Sequence, residues 1–192
     1  MQKNTLQTQL IEYLARYEND SHTQKTLDFL ARQDGFEQDD FREGDFRQDD
    51  FRQDGFEQDD FRQDDFWQKE NPTGHITASA WIVNQAKNKA LLTHHLKLDK
   101  WFQLGGHIES GDIDIFDACL REATEESGLK SLYLPQKTLF DVDVHLIPVS
   151  KTGFSAHFHY DIRVLLVADE EECINFDEKE SKSVKWFDFQ EI

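Results

Sequence analysis

Apolar and polar positions follow one period at the start of this chain and another at its end, and a stretch between them follows neither. Leu6, Leu10, Ile11, Leu14 and Tyr17 fall on one helical stripe. The string SHTQ at Ser21 to Gln24 has the form of a capping box and opens a second helix through Leu27, Leu30 and Ala31. Residues 1–33 are therefore expected to form a helical region, two helices back to back. From Ile76 the period drops to two: Ile76, Ala78, Ala80 and Ile82 alternate as a strand does, and NKALLTHHL makes a second strand after a polar turn. KTLFDVDVHLI, SAHFHYDIRVLLVA and SVKWFDF predict three more. Between the second and third lies a helix over residues 113–127, with an apolar face of Phe116, Cys119, Leu120 and Ala123. Asp112 is placed to cap its start and Gly128 to end it. The order β, β, α, β, β, β is an α+β pattern.

The middle stretch repeats. Phe36, Phe41, Phe46, Phe51, Phe56, Phe61 and Phe66 recur at every fifth position. A step of five turns about 500° on a helix, so successive rings drift around the axis. An odd step on a strand alternates faces. Residues 34–66 carry 14 acidic and 4 basic side chains, a net charge of −10 out of the chain's −18. Such self-repulsion with few aliphatics predicts disorder. The segment also resembles the pentapeptide-repeat family. That family, however, places a small apolar residue where this chain has Asp34, Asp39, Gly44, Asp49, Asp54, Asp59 and Asp64, and buried aspartates need partners. The expectation is a low-complexity insertion with no chemistry of its own.

Charge narrows the function. An acidic chain of 192 residues does not bind a nucleic-acid backbone, which needs clustered Lys and Arg. If it handles phosphates, it needs a cation to do so. Cys119 and Cys173 are too few for a disulfide framework. The N-terminus has no apolar core of the signal-peptide kind, and no long apolar run occurs elsewhere. A soluble, cytoplasmic protein without membrane contact is expected.

Within the predicted helix, Glu122, Glu125 and Glu126 stand at i, i+3 and i+4, so three carboxylates share one turn. Like charges at that spacing repel, and Arg121 offsets only one of them. Three carboxylates and a nearby backbone carbonyl suit a hard dication such as Mg²⁺.

The run from Gly106 to Leu129 resembles the signature of the Nudix hydrolases in Gly106, Arg121, Glu122, Ala123, Glu125, Glu126, Gly128 and Leu129. It departs in the middle, where Asp112 replaces a glutamate and eight residues rather than seven separate it from Arg121. The resemblance implies a Nudix-like α/β/α sandwich on a mixed β-sheet over residues 72–192. It implies Mg²⁺ or Mn²⁺ as cofactor and hydrolysis of a pyrophosphate bond in a nucleoside diphosphate linked to another moiety. It further implies Glu125 and Glu126 as principal metal ligands, Glu122 as a further ligand or water-activating base, the Gly106 carbonyl as an added donor, and Arg121 as part of the catalytic turn braced by Asp112.

Two polar groups are candidates for the substrate. His94, His95, Lys97 and Lys100, on the strand before the glycine turn, offer contacts to a terminal phosphate, and Trp101 beside them reads as a core residue. Asp141, Asp143 and His145 share one strand face, as do His157, His159 and Asp161. A hairpin centred on Lys151 would set His145 against His157, Asp143 against His159 and Asp141 against Asp161. That patch is either a solvated face, a substrate wall or an accessory metal site, and its histidines are expected to titrate near pH ~6.5. The rival to an enzyme is a catalytically weak nucleotide-binding module with an acidic interaction segment. A third expectation is an impaired product, since WFDFQEI stands where Nudix chains begin a closing helix and its loss would leave apolar surface uncovered.

Overall fold

The computed structural model describes residues 3–17, 20–32, 65–149 and 155–192. The acidic repeat from Asp34 to Asp64 and the turn around Lys151 lie outside the described residues. No helix among the described residues is long and apolar enough to cross a membrane.

Two N-terminal helices form as expected, α1 at Lys3–Arg16 and α2 at Ser21–Arg32. Their details differ from the pattern. The buried stripe of α1 is Leu6, Leu10 and Tyr13, an i, i+4, i+7 set, while Ile11 and Tyr17 are exposed. The cap of α2 is Asp20 rather than Ser21: its carboxylate accepts the Thr23 N–H at 2.7 Å and also the Thr23 hydroxyl. Gln24 does not close a box and instead donates to Asp28. Thr23, Thr26, Phe29 and Leu30 are buried, and Ala31 is exposed.

Seven strands make one mixed sheet: β1 Gly74–Asn84, β2 Lys89–His95, β3 Lys100–Phe102, β4 Leu104–His107, β5 Leu139–Ile147, β6 His157–Ala168 and β7 Ser181–Asp188. The order is β3-β2-β1-β6-β5, with β4 also on β1 and β7 on β2. β1 and β6 run parallel from Gly74 opposite Phe158 to Asn84 opposite Ala168, and the other pairs are antiparallel. The strands β3 and β4 escaped the sequence pattern because three or four residues show no alternation. The α1–α2 pair lies along the β5 edge, where His22 Nδ1 accepts the Val144 N–H at 3.1 Å and Phe29 stacks on Tyr160 at 4.2 Å. The His22 contact satisfies one donor of this edge, and the helices lie over it.

One sheet face is apolar. Ile76, Ala78, Ala80, Ile82, Ile162, Val164 and Leu166 are all fully buried there. The third helix, α3 at Ile115–Ser127, lies on it through Ile115, Phe116, Cys119 and Ala123. The opposite face begins with His75, Thr77 and Ser79, which are buried polar groups. It continues as an open apolar groove lined by Trp81, Val83, Phe140, Leu165, Phe189 and Ile192. The last phenylalanine of the repeat belongs to the folded unit: Phe66, in a short turn of 3-10 helix at Asp65–Trp67, is fully buried and meets Trp67 edge-on at 4.6 Å.

Candidate active site

Helix α3 is held rigidly at both ends. Asp114 caps it, accepting the Phe116 and Asp117 N–H groups at 3.0 Å each, and Gly128 ends it with its N–H on Thr124 O at 2.8 Å. The expected cap, Asp112, has a different task. With one extra residue before Arg121 the helix starts later, so Asp112 turns back. It takes Arg121 in a fork, Nε to Oδ1 and Nη2 to Oδ2, both 2.9 Å, and accepts the Glu109 N–H at 2.7 Å. Arg121 also donates to the His107 carbonyl at 2.9 Å, to Glu122 at 3.0 Å and to Glu125 at 3.1 Å. One guanidinium thus fixes the glycine turn, the capping loop and two carboxylates.

Closeness is made by glycine. A Cβ on Gly106 would lie 2.7 Å from Glu122 Oε2, so only a bare backbone lets that carboxylate rest against β4. Gly105 has φ +152° and a Cβ there would meet Ala78 O at 2.5 Å. Its N–H donates to Glu126 Oε2 at 3.0 Å.

The three carboxylates are not equivalent. Glu125 keeps 59% of its side chain exposed, Glu122 only 15%. Burial, together with the charges of Glu125 and Glu109, pushes Glu122 above the usual carboxylate range against the pull of Arg121. Burial pushes Glu126 up to about 7, aided by Glu122 and Glu180 and only partly countered by the Gly105 N–H. Burial would also raise Asp112, whose side chain is 4% exposed, but the Arg121 fork and the Glu109 N–H hold it below the usual range. Arg121 is held above its ordinary value chiefly by Asp112. The turn therefore sequesters the carboxyl groups of Glu122 and Glu126 while one guanidinium, Arg121, is shared among Asp112, Glu122 and Glu125.

The sequence model of the NUDIX domain matches residues 73–192 of this chain. The chain belongs to the Nudix family. Among solved structures, a NUDIX-family hydrolase from Clostridium perfringens is 32% identical, over 59% of this chain and 81% of its own, with a TM-score of 0.43. An Ap4A hydrolase of C. elegans in a binary complex is 18% identical, over 60% and 80%, with a TM-score of 0.44. A MutT NUDIX hydrolase from Burkholderia pseudomallei is 18% identical, over 62% and 87%, with a TM-score of 0.46. No curated protein matches the chain significantly.

In this Nudix domain the other candidates separate. His94 stacks on Trp101 at 4.8 Å and meets Asp99 at 3.0 Å. Trp101, expected in the core, is half-buried, with Phe187 edge-on at 4.7 Å. His95 Nδ1 accepts the Lys97 and Leu98 N–H groups at 3.2 and 3.1 Å and so shapes the turn, while Lys97 and Lys100 are exposed.

The β5–β6 hairpin has the expected common face but a register two residues away from the one expected. Asp143 faces Asp161, His145 faces His159 and Asp141 faces Arg163. Arg163, which the sequence did not single out, gathers the three aspartates, with Asp161 at 2.9 Å, Asp141 at 2.7 Å and Asp143 at 2.8 Å. Asp161 also accepts from Thr77 at 3.0 Å, Ser79 at 2.7 Å and Gln103 at 3.2 Å. The histidines form a group of their own. His145 sits 3.1 Å from Asp143, and His157 Nδ1 bonds the Ser155 carbonyl at 2.8 Å. His159 joins His75 and His107, two residues with no signal before the strands are paired. Burial, then the neighbouring imidazoles, pushes His159 down to about 2, so it does not titrate near 6.5.

Proposed function

We propose that this Nudix domain is a divalent-cation-dependent hydrolase that cleaves a pyrophosphate bond in a nucleoside diphosphate linked to another moiety. The carrying observation is the crowding of the α3 turn: Glu122, Glu125 and Glu126 gather beside Asp112, and one guanidinium, Arg121, is shared among Asp112, Glu122 and Glu125. Oxygen donors of this kind fit Mg²⁺ or Mn²⁺. Glu125, Glu126 and Glu122 would hold the ion, with the Gly106 carbonyl adding a neutral oxygen. Such an ion, when bound, neutralises pyrophosphate charge and makes water a better nucleophile at phosphorus.

The chain's own residues supply placement. Asp112 locks Arg121, and Arg121 aims Glu122 and Glu125, so the turn is organised before substrate arrives. Glu122 serves as a further ligand or takes the proton of the attacking water, a role suited to a carboxyl held above its usual range. Hydrolysis then forms one P–O bond to water, breaks the bridging P–O bond and releases two phosphate monoesters. Lys97 and Lys100 offer exposed cations for a terminal phosphate. Buried Cys119 and exposed Cys173, both free thiols, fit the proposed cytoplasmic setting.

The test is a panel of nucleoside diphosphate derivatives with Mg²⁺, reading phosphate products from the full chain and from Glu125→Gln and Glu126→Gln. Activity is expected to require the cation. Each variant should lose more than the roughly 10–100-fold that removing an outer partner of a metal ligand costs. A Gln variant with near wild-type turnover sinks the assignment.

A further inference from the structure

The polar face of the sheet brings together imidazoles from three strands. His75 is the second residue of β1, His107 closes β4, and His159 lies on β6 directly beside His75 in the parallel ladder. One ligating nitrogen from each falls within 4.8 Å of the others. Ring centroids are 4.6 Å apart for His75 and His159, 5.1 Å for His75 and His107, and 5.8 Å for His107 and His159. His75 is fully buried, yet neither of its ring nitrogens has a hydrogen-bond partner among the described residues. Buried polar groups are almost always satisfied, so this ring has donor atoms free for a ligand.

We infer that His75, His107 and His159 form a binding site for one first-row transition-metal dication of the Zn²⁺ type, separate from the carboxylate turn. Imidazole nitrogen suits Zn²⁺, Co²⁺, Ni²⁺ and Cu²⁺, whereas Mg²⁺ takes oxygen. Carboxylates do not compete for the role here, because Asp161 is saturated by Thr77, Ser79, Gln103 and Arg163. Burial pushes His75 down to about 3, in line with His159, so both rings are neutral at physiological pH and each has a lone pair to give. Zn–N bonds of about 2.1 Å place tetrahedral nitrogens roughly 3.4 Å apart, so binding draws nitrogens now within 4.8 Å of one another closer by up to about 1.4 Å. His107 is exposed and provides the way in. The fourth position falls to water or to His157, whose ring lies 5.2 Å from His75 and 5.3 Å from His159. Its Nδ1 must donate to the Ser155 carbonyl, which leaves the lone pair of the neutral ring on Nε2. Bound metal would staple β4 to β1 and β6 one residue from Gly106, and so stiffen the glycine turn.

The experiment uses the full chain, stripped with a chelator and titrated with Co²⁺ as a spectroscopic probe. One equivalent should develop the visible absorption of low-coordinate, nitrogen-ligated cobalt, displaced by Zn²⁺ but not by Mg²⁺. The band should vanish in His107→Gln/His159→Gln and persist in Glu125→Gln/Glu126→Gln. The double histidine variant keeps the acidic repeat, so it also sets the background of loosely gathered cations. X-ray absorption of the Zn²⁺-loaded wild type, which needs no variant, should show the outer-shell scattering of at least three imidazoles. A missing cobalt band in the wild type, a band that survives the histidine variant, loss of the band in the carboxylate variant, or a zinc shell without imidazole overturns the inference.

Discussion

Two neighbouring groups meet at β4, the carboxylate turn against Gly106 and the imidazole cluster at His107, and they are built in opposite ways. The first is anionic, oxygen-rich and contained within residues 106–129. Its geometry comes from helical spacing and from Asp112 and Arg121. The second consists of nitrogen donors at positions 75, 107 and 159, joined only when β1 pairs with β4 and β6. A helix displays its chemistry in consecutive residues, whereas a sheet assembles it through register.

The largest effect separating the two should come from Asp112→Asn. Asn keeps an acceptor but loses the charged fork to Arg121 at a position 4% exposed, while Arg121 retains Glu122, Glu125 and the His107 carbonyl, so the cost should be about 1.5–3 kcal/mol. Urea unfolding should show that loss, while any metal binding at the histidines persists in the folded protein. A loss below about 1 kcal/mol would mean the pair behaves as a surface one.

A smaller and pH-dependent effect concerns Glu126. Its folded value of about 7 lies above the ordinary 4.5, so the folded state holds that proton more tightly. The resulting stability is complete below about 4.5 and is lost as pH rises to about 7. On the proposed assignment Mg²⁺ would select the charged carboxylate, so the Tm gain on adding Mg²⁺ should grow between about pH 5 and 8 and flatten in Glu126→Gln. His75 and His159 are neutral throughout that window and add no step of their own. A Mg²⁺-induced gain that is the same at every pH would contradict the Glu126 assignment.

Least of all should follow from deleting residues 34–64, provided Phe66 is kept. Turnover is expected to stay near wild type, measured on the best substrate of the panel. Replacing the buried Phe66 by Ala should instead cost about 3–5 kcal/mol. Loss of activity in the deletion with an unchanged circular dichroism spectrum would assign the repeat a function.

These contrasts also explain what was legible beforehand. The helix, its carboxylates and the five longer strands could be read because alternation and i, i+4 spacing survive in a linear string. Asp114 as the cap could not, because Asp112 was equally suited until the Arg121 fork claimed it. The exposed Ile11 and Tyr17 show that a broad apolar stripe does not say which edge is buried. Arg163 and His75 were silent for a different reason: each acquires meaning only opposite Asp141 and His159, and the hairpin register was two residues from the one a centred turn implies.

The parallel ladder of β1 and β6 joins residues 84 positions apart along its whole length. Contacts that distant form late, because the chain between them loses its freedom before any bond compensates. Helix α3 and the β5–β6 hairpin are made of nearer neighbours and have a kinetic head start. By sequence separation helix α3 is expected to form ahead of the β1–β6 ladder, so a refolding experiment followed by cobalt absorption should report the pairing of β1 with β6.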